Sequence, residues 1–534
     1  MQQWNGIQHL TVCELLAEKV EKHPDRTFAT MGGWTATYAE IDARATEVAG
    51  QIHALGVRPG DRVATLSPNR YELLELLMGL AKLGVVQVPL NPYLRGEFLS
   101  HQLRDSAPSI ILTDSPGWAS VQPVLHEVPS LRTAVLFDAA ADSSAEITTH
   151  RYHELSTGPV PDVALTAAST MAIVYTSGTT GQSKGCVLSH GYYTRCGQID
   201  AELLQLTDDD VFFTTLPLFH GGSQLKGVMP SMTAGIPIVI EESFSASGFF
   251  KRLTETGATV ASGVGSMGPM LLATPLSAYD RAHSLRVYNL SPLAEDLQRE
   301  FNERFATDVW TESYGQTECV PSLSNAPGGP RDRGSNGHPI RDLEVALLDD
   351  HGQPVPDGEV GEICLRPRHR YAMFDGYWGR PEDTLEAFRG LWYHTGDFGV
   401  LRVSGSIKFA DRKKDALRVR GENVSSIELE VTISRHPAVA EVAVHALKSE
   451  VGEDDIRACI VLAEGQEIEW AEFFEFLKAN VPYFAVPRYV EILAELPKNS
   501  AFRVQKHQLR DKGMTAETID FRALGLTIAR EDRR

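Results

Sequence analysis

Residues 171–175, MAIVY, run directly into 176–185, TSGTTGQSKG. An apolar run of that length and composition reads as a buried strand. The segment after it places Gly178, Gly181 and Gly185 among the hydroxyls of Thr176, Ser177, Thr179, Thr180 and Ser183, with one cation, Lys184. Glycine lets the backbone approach a ligand closely and adopt positive φ, so successive N–H groups can converge on an anion. The hydroxyls add donors and Lys184 adds charge, so a polyphosphate is the natural partner. A plain Ser/Thr/Gly linker would need neither a strand before it nor a lysine at a fixed place. The run is not a Walker loop either, because Lys184 is followed by Gly185 where that motif requires Ser or Thr.

The strand before this loop belongs to a repeating pattern. Thr11 with Glu14, and Thr37 with Glu40, have capping-box spacing. Behind the second pair, Ile41, Ala45, Val48, Ile52 and Leu55 share one helical face, with Gly56 as a terminator. A strand at 62–66, a helix at 71–83 and a strand at 85–88 ending before Pro89 follow, and strands return at 211–216, 236–240 and 258–261. Strands alternating with helices predict a parallel sheet covered by helices. From about residue 343 shorter strands and tight turns predict a small β-rich unit. The final stretch predicts a separate α+β module, with helices at 426–435 and 469–480 and strands at 439–444 and 458–462. The expectation is an α/β protein with a large multi-sheet N-terminal domain, 1–410, and a small α+β C-terminal lid domain, 411–534. The join falls near the charged cluster 411–415, expected to be an exposed hinge.

A chain of 534 residues exceeds one ordinary core. Fifty basic against seventy acidic side chains, a net charge of −20, argue against a general nucleic-acid or anionic-membrane binder. The six cysteines are scattered without a CxxC pair, which predicts neither a zinc site nor a disulfide framework. No basic-then-apolar leader is visible, and no apolar run approaches the ~18 residues that span a bilayer. A cytoplasmic protein is expected.

Four further segments carry chemical groups. Tyr314-Gly315-Gln316-Thr317-Glu318 offers an aromatic face for a purine and a hard carboxylate for Mg2+. In Tyr393-His394-Thr395-Gly396-Asp397, Asp397 could bind ribose hydroxyls, and Leu216-Pro217-Leu218-Phe219-His220 brings a histidine to the end of a strand. The fourth is the cluster Asp411 to Asp415.

Together with the glycine-rich loop, in this order and spacing, these motifs resemble the adenylate-forming superfamily of acyl-CoA synthetases, luciferases and peptide-synthetase adenylation domains. The resemblance covers nearly the whole chain and is strongest toward carnitine/crotonobetaine-CoA-ligase-like members. It implies an ATP- and Mg2+-dependent ligase that activates a carboxylic acid as an acyl-adenylate and passes it to a thiol, with coenzyme A as the expected co-substrate. By that resemblance Thr176, Ser177, Gly178, Thr179, Thr180, Gly181 and Lys184 contact the ATP phosphates. Tyr314 and Gly315 pack against adenine beside Thr317, Glu318 holds Mg2+, and Asp397 with Arg412 binds ribose. His220, Asn289 and Leu290 border the acid, Lys414 is the hinge, and Gly421 approaches the pantetheine arm.

Two places depart from the family pattern. The C-terminal PKTxxGK-like segment reads Pro497-Lys498-Asn499-Ser500-Ala501-Phe502-Arg503-Val504-Gln505-Lys506, with Arg503 where relatives carry a catalytic lysine and Phe502 where they carry glycine. Either Arg503 or Lys506 serves adenylation, or the enzyme runs only a half-reaction, or the acceptor or anion is unusual, such as nitrite for diazotisation. A non-catalytic nucleotide-binding scaffold would have no use for Lys184, Glu318, Asp397 and Arg412 together. Asn289-Leu290 replaces the small residues relatives place before Pro-Leu, which implies a reshaped, shorter or more polar acid pocket, or ordinary repacking.

Overall fold

The computed structural model describes residues 3–4, 6–138, 147–176, 183–325, 331–412, 417–419, 422–424, 426–448, 454–481, 485–498 and 504–528. Both predicted capping boxes form. The Thr11 hydroxyl accepts from the Glu14 amide and the Glu14 carboxylate accepts from the Thr11 amide at the start of helix Val12–Lys22. Thr37 and Glu40 do the same for Tyr38–Ala54, whose Ile41, Ala45, Val48 and Ile52 are buried. Gly56 ends that turn at φ +95°, donating to the His53 carbonyl.

The alternation builds two seven-stranded sheets. The first runs, edge to edge, Lys184–Ser189, Thr170–Thr176, Val86–Leu90, Arg62–Leu66, Ile110–Thr113, Thr133–Leu136 and Thr148–Arg151. Every pairing is parallel except that of its first two strands. The strand predicted to stop before Pro89 continues to Leu90, with Pro89 opposite Thr65. Pro89 costs little there, because on its other side the strand is paired with Thr170–Thr176 only where Gln87 meets Ala172.

The second sheet runs Asp308–Trp310, Val287–Ser291, Val260–Val264, Phe212–Thr214, Ile238–Ile240, Thr27–Met31 and Trp34–Thr37, parallel but for the last pair. One face is sealed by an aromatic core of Phe213, Phe249, Phe250, Tyr288, Phe301 and Phe305, with Phe250 stacked on Phe305 at 4.0 Å. The α/β expectation is met in both sheets.

The chain divides into two compact units. One comprises Met1–Val345, Cys364–Tyr393 and Ser404–Ile407, and the other Ala346–Ile363, His394–Val403 and Lys408–Arg534. The second unit contains the predicted α+β module. Its sheet runs Val439–Lys448, Asp454–Leu462, Tyr489–Ile492 and Ile519–Asp520, packed against helices Ser426–Ile433 and Trp470–Asn480 through Leu429, Ile433, Phe473, Phe474 and Leu477. Asp411 departs from the expected exposed cluster. It is 3% exposed, because its carboxylate accepts the Ser426 amide at 2.6 Å where the helix begins. Among the described residues no helix is long and apolar enough to cross a membrane.

Candidate active site

The apolar strand and the lysine at the end of the glycine-rich run form one hairpin. Thr176 is paired with Lys184 and Tyr175 with Gly185, so the connecting loop leaves and re-enters at a fixed edge of the first sheet. Ser177, Gly178, Thr179, Thr180 and Gly181 lie outside the described residues. The re-entry point is held from helix Gly96–Ser106. His101 Nε2 donates to the Ser183 carbonyl at 2.9 Å and the Gln102 amide to its hydroxyl at 3.0 Å. Gly185 is required by packing, since a Cβ there would come within 2.5 Å of Ile173 Cγ2.

A short segment then pairs with this edge strand. The Trp378 amide donates to the Gly185 carbonyl at 2.8 Å, and Val187 exchanges hydrogen bonds with Asp375 and Gly376. This brings Tyr377 across the hairpin. Its ring lies under the Lys184 ammonium, 5.1 Å from ring centroid to Nζ, and its hydroxyl donates to Glu318 Oε1 at 3.0 Å. Lys184 Nζ also pairs with Asp383 at 3.1 Å. Tyr377 therefore ties the predicted phosphate cation to the predicted metal carboxylate. Neither Tyr377 nor Asp383 stands out in the sequence, because the pairing of 375–378 with a distant edge strand supplies their place.

Glu318 ends a turn in the hairpin formed by Ser313–Gln316 and Cys319–Ser324. Thr317 beside it is fixed through its carbonyl, which accepts from Tyr192 Oη at 3.0 Å; that oxygen in turn accepts from the Val320 amide. The Glu318 carboxyl is buried, and burial pushes it above the usual carboxylate range against the opposing bonds from Tyr377, Cys186 and Thr176. Thr176 Oγ1 reaches it at 3.5 Å. Two hydroxyl donors, oxygen chemistry and no ion-pair partner among the described residues fit a hard divalent cation. Tyr314 is half-buried and Gly315 exposed on the same hairpin, and a Cβ on Gly315 would crowd the Cys319 carbonyl at 3.0 Å.

His220 is exposed and caps a short helical turn, its Nδ1 accepting the Gly222 amide at 3.0 Å. The loop before it is clamped by a residue sequence reasoning missed. Asn69 donates to the carbonyls of Leu216 and Glu241 and accepts the Leu218 amide at 2.7 Å. Asn289 and Leu290 part company, since Leu290 is wholly enclosed in the aromatic core while Asn289 is on the opposite face of its strand.

In the second unit, Asp397 lies in strand Tyr393–Leu401, with its amide bonded to Thr395 Oγ1. Glu362 braces the approach to it, accepting from the Gly396 amide at 3.1 Å and facing His394 Nδ1 at 3.0 Å. Arg412 closes strand Ile407–Arg412. Lys414, Gly421 and Arg503 lie outside the described residues. Lys506 is committed elsewhere, donating to Ser426 Oγ at 2.6 Å and pairing with Glu430 at 2.8 Å.

A strand that enters the glycine-rich run, the lysine at its exit, a buried carboxylate behind it and an aromatic beside it, together with two largely parallel sheets and a smaller α+β unit, match an adenylate-forming ligase. The chain belongs to the AMP-binding enzyme family. That family's profile matches residues 16–378, and the AMP-binding enzyme C-terminal domain matches 428–503. A crotonobetaine/carnitine–CoA ligase of Salmonella paratyphi B is 34% identical over 483 residues, covering 89% of this chain and 93% of that protein. Among solved structures, ATP-bound MatB from Rhodopseudomonas palustris superposes with a TM-score of 0.83 at 27% identity, covering 94% of this chain and 98% of the other. The o-succinylbenzoate coenzyme A synthetase of Bacillus subtilis, solved with ATP and magnesium ion, gives 0.81 at 27%, covering 93% and 99%.

Proposed function

We propose that this protein is an ATP-dependent acid–CoA ligase that makes an enzyme-bound acyl-adenylate and then transfers the acyl group to the thiol of coenzyme A. The observation that carries the reading is the linked set Lys184, Tyr377 and Glu318, supported by the relatives above. A carboxylate oxygen attacks the α-phosphorus of ATP, the bond to the bridging oxygen breaks, and pyrophosphate leaves with the electron pair. That step brings anion to anion, so the site must supply cations and fixed donors. Lys184 and the amides and hydroxyls of 176–181 neutralise the phosphates. Glu318 would hold Mg2+, which when bound supplies positive charge to the phosphate oxygens. Tyr314 and Gly315 form the adenine wall next to Thr317, Asp397 and Arg412 take the ribose, and His220 gates the acid. The thiol sulfur then attacks the acyl carbon and AMP departs.

Arg503 stands where the family carries its second cation, and we assign that role to it, because Lys506 is already spent on Glu430. Residues 411–534 act as a mobile domain with Lys414 as its hinge, and Gly421 approaches the pantetheine arm. The cytoplasm is the proposed compartment, supported by six cysteines that are all unpaired.

The test is acid-dependent release of pyrophosphate and AMP over a panel of carboxylates, with and without CoA. Thioester formation coupled to both products is expected. Release of neither product with any acid overturns the reading, and AMP without thioester assigns a different acceptor.

A further inference from the structure

The segment that follows His220 lies over the second sheet, on the face opposite the aromatic core. A Cβ on Gly227 would touch Ile238 Cδ1, Thr214 Cγ2 and the Phe212 ring at 3.5–3.8 Å. On this face Thr214, Ser262 and Asn289 stand in register across three parallel strands. Thr214 and Ser262 satisfy each other at 3.2 Å. Asn289 has no such partner. It is 7% exposed, makes no side-chain hydrogen bond among the described residues, and is not one of the buried polar side chains shut away from solvent. Its side-chain amide therefore keeps some access to solvent and has no protein partner among the described residues.

Lys226 approaches the same region. Its ammonium reaches Ser313 Oγ at 3.4 Å, and Ser313 immediately precedes Tyr314 of the proposed adenine wall. The Ser313 carbonyl is itself held by the Ser291 hydroxyl at 3.0 Å and the Asn336 amide at 3.4 Å, and Ser291 lies two residues beyond Asn289 on its strand. Lys226 is half-buried, and among the described residues a single neutral hydroxyl is its hydrogen-bond partner. Asp200 senses its charge without forming an ion pair, and burial pushes that carboxyl up to about 6. A half-buried ammonium with one long neutral bond, and Asp200 near it but not paired with it, can take a further anionic partner.

Resting on the ligase reading above, we propose that Lys226, flanked by Asn289 and Ser313, receives a second carboxylate on the tail of the acid, so that the enzyme selects dicarboxylic acids over monocarboxylic acids of equal length. The Asn289 amide donates to the same group or orients the chain leading to it. A tail that ends in a quaternary ammonium is rejected by charge.

The experiment compares four acids of matched length, ending in methyl, carboxamide, carboxylate and trimethylammonium, by kcat/KM for pyrophosphate release. The carboxylate tail is expected to be preferred by about tenfold or more over the methyl and carboxamide tails. Lys226→Gln erases that preference mainly through KM, Lys226→Arg keeps it, and Lys226→Glu turns it toward the ammonium tail. An unchanged ranking in a folded Lys226→Gln protein overturns the proposal, as does a wild-type preference for any other tail. If no acid releases pyrophosphate, the ligase reading fails separately. Calorimetric titration of the dicarboxylic acid then decides this site alone: weaker binding to Lys226→Gln than to wild type supports it, and equal binding overturns it.

Discussion

Tyr377→Phe tests the link between Lys184, the proposed phosphate cation, and Glu318, the proposed metal carboxylate. The substitution removes the hydroxyl that donates to Glu318 Oε1 at 3.0 Å but keeps the ring beneath Lys184. The other hydroxyl in reach, Thr176 Oγ1, already donates to the same oxygen from 3.5 Å, so its weaker bond does not replace the lost one. A hydrogen bond to a charged group contributes about 1.5–3 kcal/mol. At about 1.4 kcal/mol per factor of ten, cation-supported turnover falls roughly ten- to a hundredfold. The pH dependence has a definite sign. Burial already raises the Glu318 carboxyl, and the Tyr377 bond opposes that shift by favouring the ionised form. Losing the bond raises the carboxyl further. Because the ionised form is the one that holds a cation, activity is lost as pH falls through that value, and the acidic limb moves to higher pH. The measurement is pyrophosphate release titrated with Mg2+ across pH, in Tyr377→Phe, Glu318→Gln and the double variant. In the Glu318→Gln background the tyrosine change should cost little, since its partner is gone. A folded Tyr377→Phe enzyme with an unmoved acidic limb and an unchanged Mg2+ requirement would refute the reasoning.

Asp342→Asn should destabilise the protein by about 3–5 kcal/mol, because it strips the carboxylate from a fully buried Arg195 held by two bonds of 2.7 and 2.8 Å; urea unfolding reads the loss. Lys184→Ala should slow the ATP-dependent step by removing the phosphate cation, and wild-type turnover would rule out that role. Asp383→Asn frees Lys184 from a partly exposed pair worth ~0.2–1 kcal/mol, so the KM for ATP should fall by no more than about fivefold, with the gain vanishing at high salt. Asp210, although burial raises its carboxyl, is drawn down to about 2 by bonds from Arg286, Thr259 and the Thr207 amide. Its contribution is complete above the ordinary carboxylate value of ~3.9 and is lost as pH falls toward 2. The difference in melting temperature between wild type and Asp210→Asn should therefore shrink over that interval.

What could be read from the sequence followed the range of the forces involved. Capping boxes at Thr11 and Thr37 and the face from Ile41 to Ile52 rest on groups within a turn or two of each other, and all appeared as expected. Pro89 misled because a proline's missing N–H matters only where a neighbouring strand needs it, and pairing on that side is sparse. Asp411 misled because a charge beside other charges reads as solvated until a helix N-terminus, fifteen residues on, claims its oxygen. Asn289 and Leu290 could be singled out but not separated, since strand alternation decides their faces only once the core's side of the sheet is known. Tyr377, Asp383, Asn69 and Lys226 act through partners far along the chain and carry no local signature.

Of the three basic residues in the C-terminal segment, Lys498 pairs with Glu441 at 2.6 Å, and Arg503 and Lys506 remain as candidates for the reaction. Lys506 completes a chain of contacts in the second unit: Asp411 accepts the Ser426 amide, Lys506 donates to the Ser426 hydroxyl, and Glu430 receives both Lys506 and the Val444 amide at 2.6 Å. Burial raises the Glu430 carboxyl, and the Lys506 charge is what offsets that rise. Withdrawing Lys506 toward a substrate would leave a largely enclosed carboxylate without its cation. Lys506 therefore orders the fold, which leaves Arg503 as the cation proposed above for the reaction. A guanidinium is longer than an ammonium and planar, and it presents parallel donors that suit two oxygens at once. Adenylation presents such a pair, one oxygen on the attacking carboxylate and one on the α-phosphate. On that proposal the exchange of lysine for arginine would keep the electrostatic role and alter the reach, so that Arg503→Lys should change the range of acids accepted in the pyrophosphate-release assay more than it changes the requirement for a cation.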